Sequence, residues 1–402
     1  MLKDLSTEAI VERGKNVVMN TYGRLPMTIV KGEGAWVWDS EGKQYLDFVT
    51  GLAVNSMGHS HPAIVRAVQE QAKELLHISN IYWIPNQVAL AERLVQHSFA
   101  DKVFFCNSGA EANEAAFKLA RKYANRNYGA HKHEVVTLEN SFHGRTLATL
   151  TLTGQTKYQE GYDPLPVGFS YAAINDIEGL RSKVNQNTAA VFIEPIQGEG
   201  GVIPASNEFL QEARALCDKY GALLIFDEVQ CGVGRTGKLF AYEWSGVVPD
   251  IMTLAKALGG GVPIGAMLAI DKVAAAFQPG DHASTFGGNP LATAAGCAVL
   301  EVMLEDGFMT GVQERAEEFR KGLVDLALKY QTGEPVRGQG FMLGWPVSKL
   351  GSEIVEACLQ RGLLINCVAG KILRFLPPLN VERAEMNKAL EILDEVFKKL
   401  WK

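Results

Sequence analysis

Lys256 and Asp227 are the two residues whose types and spacing could do chemistry together. The lysine stands in "TLAKALGGG", directly after an apolar stretch, and the aspartate closes another, "LLIFDEVQ", 29 residues earlier. That interval is about one strand-helix-strand unit, so both side chains can emerge at one edge of a sheet. An isolated strand-end lysine most often snorkels to water. In a partly desolvated site its amine loses the proton more readily and becomes a nucleophile toward carbonyls. The strand-end carboxylate then poses its own question: which positive charge meets it?

Three more stretches bear on the same edge. In "FFCNSGAEANEAAFKLARKYA" a strand runs into a helix, and Ser108 to Glu111 form the S-x-x-E capping pattern, which by itself means only a well-started helix. The alternative is that Ser108, Gly109 and Ala110 leave backbone N–H groups open to a phosphate. "SFHGRT" carries Phe142 and Arg145. Such residues are usually core and solvated surface respectively; at a carboxyl edge, Phe142 could cover a flat ring and Arg145 grip a carboxylate with two prongs. "IEPIQGEGG" places Glu194 at a strand end and Glu199 in a Gly-rich loop. In isolation both read as solvated acids, but Glu199 has a possible partner in Arg374 of "LRFLPP".

Together, a phosphate-ready helix start, a stacking aromatic, a strand-end aspartate and a strand-end lysine are what a pyridoxal phosphate (PLP) site requires. Its aldehyde binds the lysine and its phosphate takes the helix N-terminus. The pyridine nitrogen is a better electron sink when protonated, so a buried carboxylate must sit against it. The charge awaiting Asp227 is, on this reading, a pyridinium. Two decoys fall away. "GVGRTGKL" nearly fits a phosphate loop, but Leu239 stands where a magnesium-binding Ser or Thr is required, and the stretch follows the acidic strand. The His59/His61 and His131/His133 pairs lack a completing set of metal ligands and read as turn and surface histidines.

The elements that must position these residues follow from periodicity. A helix is expected over Ser6 to Tyr22, then a hairpin in "AWVWDSEGKQYLDF" turning at Asp39 to Gly42. From about Pro62, helices alternate with the short apolar strands "KVFFCN", "HEVVTLE", "AAVFIEP", "ALLIFDE", "DIMTLA" and "GAMLAI". One intervening helix, "NEFLQEARALCDKYG", has Asn207 as its cap candidate and Gly221 just past its end. The alternation argues for an α/β fold, a mainly parallel sheet sandwiched by helices, with ligands at the carboxyl ends of its strands. A long helix near Pro290 to Glu305 and another helix precede the strands "RGQGFMLGW" and "KILRFLPP", and an amphipathic helix closes the chain. The expected division is 1–61 and 307–402 as the segments of a smaller α+β domain, and 62–306 as the large one.

Bulk properties set the outer bounds. A chain of 402 residues, 47% hydrophobic and 21% charged, has the composition of a globular protein. The net charge of −6, with scattered basic residues, argues against a generic nucleic-acid surface. The absence of a signal core or an apolar run of ~18 residues leads to a cytoplasmic expectation. Six cysteines without a CxxC pair read mostly as small buried hydrophobes.

The chain resembles the class III (subgroup II) aminotransferases of PLP fold type I. The resemblance runs over essentially the whole length through "GHSHP", "NSGAEANEAAFKLAR", "FHGRT", "EPIQGEGG", "LIFDEVQCGVGRTG", "TLAKALGGGVPIGAM", "STFGGNPLA" and "LRFLPPL". It implies a large domain with a seven-stranded sheet. It also implies that Lys256 bonds the cofactor and shuttles a proton, Asp227 pairs with the pyridine nitrogen, and Gln230 bonds the ring oxygen. Val229 and Phe142 would sandwich the ring; Ser108, Gly109 and Ala110 would hold the phosphate. Thr285 of the "STFGG" loop would reach the neighbouring subunit's phosphate, making the working unit a homodimer. Arg374 would bind the α-carboxylate of glutamate or 2-oxoglutarate and Arg145 a second carboxylate, with Tyr22 and Ser284 also in the substrate site. Glu199 would neutralise Arg374 while a terminal amine reacts and yield it to glutamate. Cys231 departs from the Thr found at that position in many relatives.

The implied reaction moves the δ-amino group of N2-acetylornithine to 2-oxoglutarate. Rival donors are ornithine, succinylornithine, acetyllysine, succinyldiaminopimelate and 4-aminobutyrate. A PLP aminomutase or racemase, and a non-catalytic protein keeping the fold, are the readings from other classes.

Overall fold

Continuous apolar runs are tolerated in a strand only where both faces are covered. Thr188–Ile193, Leu223–Asp227, Ile251–Leu254 and Gly265–Ala269 are buried at every residue. In the computed structural model, which describes residues 5–401, they lie inside a seven-stranded sheet. Its order is Lys102–Cys106, Gly265–Ala269, Ile251–Leu254, Leu223–Asp227, Thr188–Ile193, Glu134–Leu138, Phe169–Ala172. Gly265–Ala269 alone runs antiparallel to both its neighbours. The edge strand Phe169–Ala172 is only partly buried and has no uninterrupted apolar run, which is why its sequence does not announce it.

Side chains alternate across a strand, and the two faces collect different helices. Val135, Phe192 and Ile225 pack with Ala116, Leu119 and Ala120 of the helix Gly109–Tyr128. Their neighbours Val136, Val191 and Leu224 pack with Phe209, Ala213 and Cys217 of Asn207–Tyr220 on the other side. The N-cap of this second helix is Ser206, whose hydroxyl accepts from Phe209 N at 3.2 Å; Asn207 is its first helical residue, because the register of the cap falls one position earlier. Gly221 ends it with φ 65°, the left-handed conformation that glycine adopts without a Cβ penalty.

The expected N-terminal helix is shorter than its periodicity. It spans Thr7–Val17, capped by Ser6, and Val18 is extended. Val17 and Met19 are each 84% exposed, so no buried apolar contact holds a further turn against the weak helix propensity of the β-branched pair Val17 and Val18.

Two four-stranded sheets flank the centre. In the first, Ile29–Glu33, Trp36–Asp39 and Gln44–Asp47 are joined by Leu363–Leu364, which runs parallel to Gln44–Asp47. The second orders Arg337–Gln339, Met342–Pro346, Ile372–Phe375 and Asn366–Val368. The Thr50 hydroxyl donates to Leu376 O at 2.7 Å, tying the N-terminal segment to the second sheet. Phe319, on the helix Phe308–Tyr330, completes the tie with edge contacts to Phe48 at 5.4 Å and Phe375 at 5.8 Å. Among the described residues no helix is long and apolar enough to cross a membrane.

Phe319 is fully buried between the two terminal segments. Phe319→Ala is expected to lower stability by about 3–5 kcal/mol, read as a lower denaturation midpoint in urea.

Candidate active site

Leu223–Asp227 and Ile251–Leu254 are parallel neighbours with Asp227 opposite Thr253, so Asp227 and Lys256 leave the sheet at the same edge. Asp227 is 3% exposed, and a carboxylate this deep needs donors. It has three. Asn113 Nδ2 donates to Oδ2 at 2.8 Å, His143 Nδ1 stands 2.7 Å from the same oxygen, and Val229 N donates to Oδ1 at 2.9 Å. Asn113 also donates to the His143 carbonyl at 2.7 Å and accepts from the Thr253 hydroxyl at 2.7 Å. Asn113 is buried one turn into its helix, and His143 follows Phe142 in the loop after Glu134–Leu138. Asn113 does not stand out by type in the sequence, whereas His143 shares "SFHGRT" with an aromatic and an arginine. The signal for both is position, beside residues that do stand out.

A cavity of about 430 Å³ opens over this network. Ser108, Gly109 and Ala110 line it at the start of Gly109–Tyr128, where the first backbone N–H groups have no intrahelical partner. Ser108 Oγ caps the helix by accepting from Glu111 N at 3.2 Å, and Glu111 reaches back to Asn107 N at 2.6 Å. Glycine is required at 109: a Cβ there would stand 2.7 Å from Cγ1 of Val229. Phe142, Arg145, Val229, Gln230 and Lys256 complete the lining that the sequence singles out. The Arg145 guanidinium lies 3.8 Å from the centre of the Tyr158 ring and 5.2 Å from that of Phe142.

Lys256 begins a short 3-10 turn with φ 45°. A left-handed conformation costs a residue with a Cβ about 1–2 kcal/mol, so the packing around it must impose it. Burial holds the Lys256 ammonium below its ordinary acidity range and Arg374 adds to the effect, against the pull of Glu199 and Asp227. The amine is thereby more available as a base or nucleophile.

Glu199 meets Arg374 at 2.6 Å, and the same Nη1 donates to Gln230 Oε1 at 3.1 Å. Arg374 is wholly buried, while the Glu199 side chain keeps 25% of its surface exposed. Burial pushes the Glu199 carboxyl up, but the Arg374 charge and hydrogen bond outweigh it, and the group sits below the usual carboxylate range. Glu194 overturns the solvated-acid expectation. It is 5% exposed and accepts from Phe142 N at 3.0 Å and Gly198 N at 3.3 Å, and burial raises it to about 7. It holds the loop that carries Phe142 against the loop that carries Glu199.

Five expected site residues lie outside the cavity lining: Glu199 and Arg374, which pair beside the lining residue Gln230, and Tyr22, Ser284 and Thr285. Tyr22 is 70% exposed with Arg24 over its ring at 5.2 Å. Ser284 accepts from Gly287 N at 2.9 Å and from Asn107 Nδ2 at 3.2 Å, so its hydroxyl holds its own loop, and Thr285 beside it is exposed. Cys231 is buried, its thiol 3.7 Å from the Asp227 carbonyl and pushed well above its ordinary range by burial. The loop that mimics a phosphate loop has another use: Arg235, fully buried, donates to Phe341 O, Pro377 O and Ser56 Oγ at 3.1, 2.6 and 3.0 Å. His59 bonds Asp47 at 2.8 Å, and no His, Cys, Asp and Glu cluster suited to a metal exists among the described residues.

Comparison with known proteins decides the family: the profile described as aminotransferase class-III matches residues 17–397. The chain belongs to the class III aminotransferases. It is 54% identical over 387 residues to an acetylornithine aminotransferase of Caldanaerobacter subterraneus subsp. tengcongensis, covering 96% of this chain and 98% of that one. Among solved structures, the ornithine aminotransferase of Toxoplasma gondii, seen with partial occupancy of PLP at its active site, superposes with TM-score 0.94 at 32% identity, covering 99% and 95% of the two chains. The acetylornithine aminotransferase of Elizabethkingia anophelis gives TM-score 0.88 at 33% identity, covering 98% of this chain and all of its own.

The Asp227 network yields a test. Asn113→Ala removes donors to two buried acceptors and is expected to cost about 1–3 kcal/mol in chemical denaturation. Asn113→Asp, which sets a second carboxylate against the first, is expected to cost more.

Proposed function

We propose that this chain is a PLP-dependent aminotransferase that moves the δ-amino group of N2-acetylornithine to 2-oxoglutarate, giving N-acetylglutamate 5-semialdehyde and glutamate in arginine biosynthesis. The observation that carries the reading is the Glu199–Arg374 pair at 2.6 Å, beside a cavity lined by Lys256 and Asp227, in a chain about half identical to acetylornithine aminotransferases.

The residues at the cavity fit the cofactor. Gly109 is seated where a Cβ would strike Val229, the helix start supplies free N–H groups, and a buried carboxylate and a lysine face the same space. On this reading Ser108, Gly109 and Ala110 hold the phosphate, Phe142 and Val229 take the two faces of the ring, Gln230 meets its oxygen, and Asp227 keeps its nitrogen protonated. Lys256 holds its aldehyde. When bound, PLP supplies an electron sink for the carbanion left when the substrate loses a proton. Lys256 Nζ, kept unprotonated by burial, takes that proton from the amine-bearing carbon.

The chain must also read two substrates in one pocket. While a terminal amine reacts, Glu199 neutralises Arg374; when glutamate enters, its α-carboxylate replaces Glu199 and Arg145 receives the distal one. Tyr22 and Ser284 are proposed to complete the substrate site. Thr285, exposed here, is proposed to reach a neighbouring subunit in a cytoplasmic homodimer. The division at 1–61, 62–306 and 307–402 then assigns the cofactor to the large domain and Arg374 to the small one.

A second donor has support from the ornithine aminotransferase structures that share the fold. The visible spectrum of the holoenzyme, followed with each amine and no oxo-acid, separates the two. Conversion to the pyridoxamine form is expected to be fastest with N2-acetylornithine, ahead of ornithine and 4-aminobutyrate. Faster conversion with another amine corrects the donor; no conversion with any, or a wild-type spectrum in Lys256→Ala, removes the transaminase reading.

Glu199→Gln leaves Arg374 without its charged partner. In separate half-reactions, kcat/KM for the terminal amine is expected to fall about tenfold or more, with glutamate less affected. Equal losses in both would sink the exchange.

A further inference from the structure

Arg374 is a buried guanidinium with one charged partner and two neutral ones. Glu199 is the charged one: it comes from a loop and keeps a quarter of its side chain exposed. Gln230 Oε1 accepts from Nη1 at 3.1 Å and Asn366 Oδ1 accepts from Nε at 3.3 Å. Asn366 owes its place to strand register, since Asn366–Val368 pairs antiparallel with Ile372–Phe375 and sets Asn366 directly opposite Arg374. Gln230 owes its place to Gly198, where any Cβ would overlap the amide.

We infer that Asn366 is a specificity-determining residue: its neutrality lets the Arg374 charge alternate between Glu199 and a substrate carboxylate. The inference rests on the exchange proposed above. A guanidinium offers five N–H donors in a rigid fork. Asn366 occupies the Nε side, turning the plane of the fork while leaving the Nη edge for Glu199 or its replacement. Because an amide carries no charge, the account at Arg374 stays open by one negative charge whenever Glu199 moves away. A carboxylate at position 366 would hold nearly the same shape and close it for good. The incoming α-carboxylate would then meet a cation already neutralised and a buried negative charge beside it, which is unfavourable at short range in a dry site. A terminal amine brings a positive group and suffers no such conflict. Asn366 therefore governs which of the two substrate geometries the pocket favours, without touching the reacting atoms.

The test uses the ratio of two half-reactions in the holoenzyme, kcat/KM for glutamate over kcat/KM for the terminal amine. Asn366→Asp is expected to lower this ratio about tenfold or more, mainly through KM for glutamate. Glu199→Gln is expected to raise it, whereas the double variant is expected to keep the low ratio, since the fixed carboxylate at 366 still neutralises Arg374 when glutamate arrives. A residue with only a structural role would lower both half-reactions alike and leave the ratio in place; that result overturns the inference. If the charged variant does not fold, Asn366→Ala decides: KM for glutamate is expected to rise about threefold or more as Nε loses its acceptor, and an unchanged KM overturns the inference. A wild-type enzyme that converts no glutamate at all would instead overturn the exchange on which the inference rests.

Discussion

A carboxylate buried at the end of a central strand is the constraint around which this structure is arranged. Asp227 is held by a helix side chain, a loop imidazole and a backbone N–H of its own turn. Each donor fixes a different piece of the molecule. Asn113 sets the rotation of the helix whose start lines the cavity, His143 anchors the loop of Phe142 and Arg145, and Val229 N orders the turn that leads to Gln230. Removing the carboxylate from water costs several kcal/mol unless donors replace the solvent, so these elements cannot be repositioned independently. The site is preorganised because the charge demands it.

The second electrostatic centre works in the opposite sense. Around Asp227 both side-chain partners are buried, whereas Arg374 combines neutral neighbours with an anion whose side chain is a quarter exposed. Glu194 belongs to the first kind: raised to about 7 by burial and held by two N–H groups, it joins loops and stays put. The two acids of "IEPIQGEGG" are five residues apart in one loop and serve different ends. Burial and partner separate them; residue type does not.

Much of the fold was legible because the signals were local or periodic. The six apolar runs became sheet strands, and the strand-end positions of Asp227 and Lys256 followed from an interval of one structural unit. The edge strand Phe169–Ala172 escaped notice since a half-exposed strand has a mixed composition. The early end of the first helix reflects missing tertiary contacts, which periodicity does not record. At the site, charged and aromatic residues could be picked out by type. Asn113 and Asn366 could not: their importance comes from what packing and cross-strand register set opposite them. The same holds for Arg235, whose motif suggested a phosphate and whose burial made it a neutral-partner strut.

The pairing of the chain's two ends has a consequence for how the protein is made. The bond from Thr50 to Leu376 spans 326 residues, and the hairpin of Trp36–Asp39 and Gln44–Asp47 gains its parallel neighbour only from Leu363–Leu364. During synthesis the N-terminal hairpin leaves the ribosome long before that partner exists. At about 5–20 residues per second the wait is tens of seconds, with a strand edge and the apolar surface around Phe48 uncovered. The central sheet can assemble in the meantime from nearer contacts. A nascent chain of this architecture can complete its central sheet once Gly265–Ala269 emerges, while its N-terminal hairpin stays unfinished until Leu363–Leu364 follows, and that interval sets its exposure to aggregation.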